Sequence, residues 1–195
     1  MGIDAKLVVQ LRSMTGAGMM DAKKALVEAE GDLEKAAEVL RKKGAAKASK
    51  RAERKTSEGR VAVYHHATGK LAAAVEVLCE TDFVAKNESF QKFADDIAMH
   101  IGAAAPEYLS RENIPEAVRE NQIKMFREEL ESQNKPAEVV EKILEGKMNK
   151  WFSEIVLLEQ AYIKDEDKTI DEYLKEQIAT IGENMQIRGF SRFQI

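Results

Sequence analysis

At 195 residues, with 44% hydrophobic and 33% charged side chains, the chain can bury a core and has the make-up of a soluble, helix-rich protein. No apolar run nears the roughly 18–20 residues of a membrane span; a lone Cys79 excludes an internal disulfide framework and fits a reducing compartment. The opening segment carries Asp4 and no apolar run, so no secretory leader and a cytoplasmic setting are expected, and a net charge of −4 argues against nucleic acid as the main partner.

Residues 1–44 read as a three-helix docking domain. Leu7, Val8, Leu11 and Met14 form one stripe; Ala22, Ala25, Leu26 and Ala29 a second; Leu33, Ala36, Ala37 and Leu40 a third. Gly31-Asp32 opens the third helix and Gly44 is expected to stop it. So thin a core suits docking better than catalysis. Thr15-Gly16-Ala17-Gly18 is a helix–helix corner: a phosphate loop would need a strand before it and Gly-Lys-Ser/Thr within it. Beyond the corner, Met19 matches the Ala22–Leu26 core face and Met20 leans toward Lys23 and Lys24, predicting one buried and one exposed methionine.

Residues 45–58 form a basic helical linker. From Arg41 to Lys55 eight Lys and Arg face Glu53 alone, a net of +7 that leaves −11 for the rest. Such a helix can grip phosphates, but it has no aromatic for base stacking, and a solvated linker is the simpler reading.

Residues 59–195 mix strands and helices. Val61–His66 and Leu71–Cys79 flank Thr68-Gly69 as a hairpin. Then comes Thr81-Asp82-Phe83-Val84, between a strand and a helix that Asn87 caps and that carries Phe90, Phe93, Ala94, Ile97, Ala98 and Ile101. Phe83 is either tucked under that helix or offered to a partner. Further helices are expected over 116–132 and after Pro136, then one capped by Thr169–Glu172 and ending at Gly182, before a terminal strand over 184–195. The Leu71 strand is apolar on both faces, so a helix of this chain or the sheet of a second copy should cover it.

No catalytic constellation emerges. His65, His66 and His100 have no metal-ligand spacing, Cys79 has no nucleophile signature, no serine elbow occurs, and no carboxylate pair is singled out. A non-enzyme without cofactor or metal is expected.

Three segments carry more than pattern. Leu11–Leu26 reads LRSMTGAGMMDAKKAL, Glu80–Asn87 reads ETDFVAKN, and Gly182–Arg188 reads GENMQIR ahead of Arg192-Phe193. With Ala98-Met99-His100-Ile101 and Leu158-Glu159-Gln160, they make the whole chain resemble the bacterial translation elongation factor Ts family. The resemblance implies an α+β fold: a ubiquitin-associated-like three-helix domain, a helical linker, then one copy of a core in which a small antiparallel sheet packs with helices. It implies a guanine-nucleotide exchange factor for elongation factor Tu, acting at that partner's magnesium and phosphate site, with no direct nucleic-acid or membrane partner. Partner contacts are expected at Thr81, Asp82, Phe83, Val84, Arg12, Met19, Met20, His100 and Ile163, and a homodimer through paired sheets. Two stretches depart from the family's habit: Ala161-Tyr162-Ile163-Lys164 stands where Pro-Phe-Val is usual, and Gly189-Phe190 where Arg and an apolar residue are.

Overall fold

A computed structural model describes residues 3–131 and 136–195 and contains both helices and small sheets, an α+β fold. The chain forms two compact units, one from Met1–Ala62, Glu76–Asp95 and Glu172–Ile187, the other from Val63–Val75, Asp96–Asp171 and Arg188–Ile195.

In the first unit, α1 (Ala5–Thr15), α2 (Met19–Glu28) and α3 (Leu33–Arg51) bury Val8, Leu11, Ala22, Ala25, Leu26, Ala29 and Ala36 together. All come from the three stripes, of which Met14 is instead exposed, and the four alanines among them let the helices approach closely. Asp4 caps α1 by accepting from the Lys6 amide, and Asp32 caps α3 by accepting from Glu34 and Lys35.

The expected stop at Gly44 does not occur. α3 runs through it to Arg51, so the linker begins as the same helix. Mid-helix glycine costs about 1 kcal/mol against alanine. Here a Cβ at position 44 would stand 3.4 Å from the Ala179 Cβ, so two small residues let α3 lie close against α8 (Ile170–Ile181). The Arg51 guanidinium then donates to the Ile178 carbonyl at 2.8 Å.

The hairpin of β1 (Glu58–His65) and β2 (Leu71–Cys79) is present, turned by Gly69 donating to the His66 carbonyl. With β5 (Met185–Gln194) it makes a sheet of order β1-β2-β5. β5 runs antiparallel to β2: Ile195 at its end donates to Lys70, and Asn184 at its start donates to Glu80. One face of β2 (Ala73, Val75, Val77, Cys79) is buried, whereas Ala72, Ala74 and Leu78 on the other are half-buried, and Val61, Val63 and Phe193 are exposed. The change of burial parity in β5 at Gly189-Phe190 turns Arg192 inward, where its Nε donates to the Gly102 carbonyl.

Between β2 and α5 (Glu88–Ala104) lies an element that periodicity did not predict, the one-turn helix α4 (Asp82–Ala85). Asn87 caps α5 as expected, its Oδ1 accepting from Ser89 at 2.8 Å.

In the second unit, α6 (Glu116–Glu131) and α7 (Ala137–Ile155) pack through Leu130, Leu144, Met148 and Phe152. The expected end of α6 at Ser132 lies outside the described residues. After α7 the chain makes a hairpin that the apolar pattern does not predict, β3 (Ala161–Tyr162) with β4 (Asp165–Thr169), turned at Ile163-Lys164.

Candidate functional site

The first group of candidate residues lies in the first unit, on the turn after β2. Thr81 has an extended backbone, and its Oγ1 accepts from the Val84 amide at 3.4 Å as the cap of α4. The carbonyls of Thr81, Asp82 and Val84 accept from Ala85, Lys86 and Asn87 at 3.1, 3.2 and 2.9 Å. This closed turn leaves Phe83 no room beneath it: the ring is 82% exposed. Asp82, beside it in the chain, is engaged, 2.7 Å from Lys86 Nζ. That hydrogen bond, against slight desolvation, holds its carboxyl below the ordinary range. Val84 is half-buried.

The thiol of Cys79 donates to the Thr81 carbonyl at 3.2 Å. Burial, with help from the Glu183 charge, pushes it up to about 11, so it stays a thiol and anchors the turn.

Arg12, Met19 and Met20 are also in the first unit, at the α1–α2 corner. Gly16 ends α1 with φ of 67°, a left-handed value that favours glycine, and donates to the Arg12 carbonyl at 2.8 Å. The Thr15 hydroxyl donates to the Leu11 carbonyl at 2.7 Å and tightens the corner. Arg12 is exposed, Met20 is 64% exposed and Met19 45%. The expected burial of Met19 is thus corrected. As the first residue of α2 its side chain leans back toward the helix start, past a core that begins at Ala22. Two adaptable thioethers stand out from the corner instead of one.

His100 and Ile163 lie in the second unit. His100, expected to be a contact, is fully buried and can touch no partner directly. Its chemistry is settled by Gln160, whose amide donates to the carbonyls of Ala104 and Glu154 at 3.2 and 2.7 Å. The Gln160 Oε1 can therefore only accept, and it lies 3.0 Å from His100 Nε2, which carries the proton. His100 Nδ1 is left as an acceptor for the Ile163 amide at 3.4 Å. Burial holds the imidazole below its ordinary pKa, partly opposed by the Gln160 hydrogen bond. Lys164, next along the turn, pairs at 2.6 Å with Asp96, which is itself buried on α5. Ile163 is 37% exposed at the hairpin tip.

Reasoning from the sequence also missed a residue here. Glu183 belongs to the GENMQIR segment, yet it was singled out for no role; its carboxylate receives three hydrogen bonds from Glu80 and Thr81. No local signal reveals a partner 102 residues away.

An exposed ring on a closed turn, a held carboxylate beside it, and a pair of outward thioethers are the kinds of group that protein-docking surfaces use. The comparisons give that class a family. The model of the family described as Elongation factor TS matches residues 14–195. The elongation factor Ts of Geobacter sp. (strain M21) is 56% identical over 193 residues, 99% of this chain and 89% of that relative. That of Geotalea daltonii is 54% identical over 195 residues, covering 100% and 90%; that of Thermosipho melanesiensis is 51% identical over 193 residues, covering 99% and 98%. The chain belongs to the elongation factor Ts family, whose members serve translation elongation.

Proposed function

We propose that this protein is a cytoplasmic guanine-nucleotide exchange factor for elongation factor Tu, releasing GDP by binding alone and making no covalent bond. The single observation that supports this most is the outward Phe83 ring, 82% exposed on a turn closed by three backbone hydrogen bonds. Leaving a phenyl in water forgoes roughly 2 kcal/mol of burial, and a partner that covers it recovers that energy.

The physical logic follows from how GDP is held. Phosphate contacts and a Mg²⁺ ion with strict octahedral demands carry much of the partner's grip. A rigid aromatic wedge at Phe83, with Asp82 beside it, shifts one supporting helix of the GTPase and loosens that shell without touching the nucleotide. Thr81 and Val84 shape the wedge. Arg12, Met19 and Met20 hold the GTPase from another side, and Ile163 adds a contact that His100 supports from beneath. By linkage GDP and the factor weaken each other's binding reciprocally, with couplings typically of about 1–3 kcal/mol or more.

The three-helix layer is read as a ubiquitin-associated-like domain over 1–44, continued by the linker over 45–58 and the core over 59–195. A homodimer formed through the sheet is part of the same reading: Val61, Val63 and Phe193 are exposed apolar residues on its edge strands.

The test is the release of a fluorescent GDP from elongation factor Tu, with and without this protein. Acceleration that saturates with its concentration is expected; no acceleration and no complex would overturn the reading. Sedimentation of the chain alone reads the dimer, and a monomer at micromolar concentration would remove that part.

A further inference from the structure

We propose that Glu183, in the turn between α8 and β5, is the positioning residue of the Phe83 wedge. The inference rests on the exchange reading above and adds a residue to it. The far end of the sequence supplies the frame for the segment at its centre, which gives the GENMQIR segment a role beyond its own strand.

The Glu183 Oε2 accepts from the Glu80 amide at 3.1 Å and from the Thr81 amide at 3.0 Å. Its Oε1 accepts from the Thr81 hydroxyl at 2.7 Å. Both carboxylate oxygens are thus spent on the two residues before the wedge, in charge-assisted bonds stronger than neutral ones. These are groups that the turn itself cannot satisfy: β2 has ended at Cys79 and α4 has not begun. The Thr81 hydroxyl serves twice. Giving its proton to Glu183 orients its lone pairs to receive the Val84 amide, so the carboxylate also sets the cap of the one-turn helix that carries Phe83. A four-residue helix has no cooperative stability of its own.

A second clasp runs the other way. The Glu80 Oε1 accepts from the Asn184 amide at 2.6 Å. The buried Asn184 side chain donates to the Ala52 and Arg54 carbonyls at 3.3 and 2.8 Å, just past the end of α3. The turn therefore ties the wedge segment and the end of the helical linker to one point, and Gly182 lets it form with a φ of 98°. A ring this exposed has no packing to aim it; its direction comes from the backbone, and that backbone is set by Glu183.

The experiment measures fluorescent-GDP release from elongation factor Tu as a function of factor concentration, for wild type, Glu183→Ala, Glu183→Asp, Glu183→Gln, Phe83→Ala and Phe83→Ala/Glu183→Ala. Misaiming the wedge should lower the saturating rate about tenfold in Glu183→Ala, less than the roughly 100-fold that a 1 Å misplacement can cost, with a smaller rise in the half-saturating concentration. Glu183→Asp keeps the charge but falls short of the amides, so it should lose rate as well; it also serves if the alanine variant does not fold. Glu183→Gln keeps an oxygen for both amides but puts an NH₂ where Oε1 receives the Thr81 hydroxyl proton, so it should recover only part of the rate.

The double variant should be no slower than Phe83→Ala alone, since a residue acting only through the ring has nothing left to aim. Additive losses, a wild-type rate in Glu183→Asp, or a shift confined to the half-saturating concentration would each overturn the inference. The two readings fail separately. If Phe83→Ala exchanges nucleotide as fast as wild type, the wedge itself falls. If Phe83→Ala is slow while the Glu183 variants are fast, only the positioning role falls.

Discussion

The turn at Thr81–Val84 and the hairpin tip at Ile163-Lys164 both raise an apolar side chain toward solvent, and they are held in opposite ways. The first is braced by carboxylates at or near the surface: Glu183 on the backbone of Thr81, and Asp82 on Lys86. The second rests on a buried neutral imidazole, with Gln160 fixing the tautomer of His100 and His100 receiving the Ile163 amide. Phe83 stands clear of its support, whereas Ile163 is more than half covered by its own. A side chain held proud of the surface needs a rigid backbone under it; one seated on a core needs only that core. On the exchange mechanism proposed above, the first loop would drive release and the second would add a lesser contact.

The sharpest way to break that assignment is to remove each apolar side chain. Phe83→Ala should slow nucleotide release about 100-fold, as losing an aromatic hot spot does, while the stability of the chain moves by less than about 0.5 kcal/mol because the ring is exposed. Stopped-flow GDP release and urea unfolding measure the two. Equal losses in both would make Phe83 a core residue. Ile163→Ala should cost exchange only a few-fold.

His100→Ala should invert the pattern. Deleting a buried ring and orphaning its partners costs about 2–4 kcal/mol of stability, with amide exchange at Ile163 speeding up, and release slows less than in Phe83→Ala. A variant as stable as wild type would mean that the imidazole supports nothing.

Acid separates the two braces. His100 is held below its ordinary value of 6.5 when folded, so the unfolded chain takes up the proton first. Stability should begin to fall as pH drops through about 6.5, with a slope of at most about 1.4 kcal/mol per pH unit from this one group, and level off below the folded pKa. Asp82 is shifted the other way: its folded value lies below 3.8, so its pairing persists above that value and is lost only in stronger acid. Between pH 6 and about 4.5 the hairpin should therefore loosen while the Asp82–Lys86 pair stays intact, a difference visible in residue-resolved amide exchange. In His100→Phe the slope assigned to this histidine should vanish.

Much of this was legible in the chain, and what was not has physical causes. The long helices, the β1–β2 hairpin and the Asn87 cap follow from apolar period and turn chemistry, which are local. α4 is one turn long, too short for any period to register. β4 reads Asp-Glu-Asp-Lys-Thr, with no alternation to betray a strand, so its hairpin went unseen. Gly44 carries a stop signal that Ala179, 135 residues on, overrides by accepting the close approach. Met20 is readable as a surface group, whereas the pattern leaves Phe83 either tucked or exposed and only the fold decides it. The burial of His100 and the exposure of Met19 turn on neighbours and helix position that a face diagram does not contain, and Glu183 declares itself only when the fold brings the end of the chain to its middle.

The smallest effect expected is at the basic stretch of α3, and it tests whether that helix takes any part in the partner interface. Among its cations Lys43 pairs with Glu28, Lys47 with Asp21 at 2.9 Å, and Arg41 with Glu172 at 2.9 Å. Charges committed to carboxylates of the same unit present little field to a phosphate backbone, and exposed pairs of this kind contribute little to stability. Lys43→Gln, Lys47→Gln and Lys50→Gln together should leave GDP release within about twofold and the melting temperature within a few degrees. Retention on an RNA column should be weak in wild type and fall no further in the triple variant. A tenfold slower release would bring α3 into the partner interface. Tight RNA retention that drops steeply with salt and vanishes in the variant would instead mark α3 as a phosphate-binding helix, because each released counterion adds to that slope.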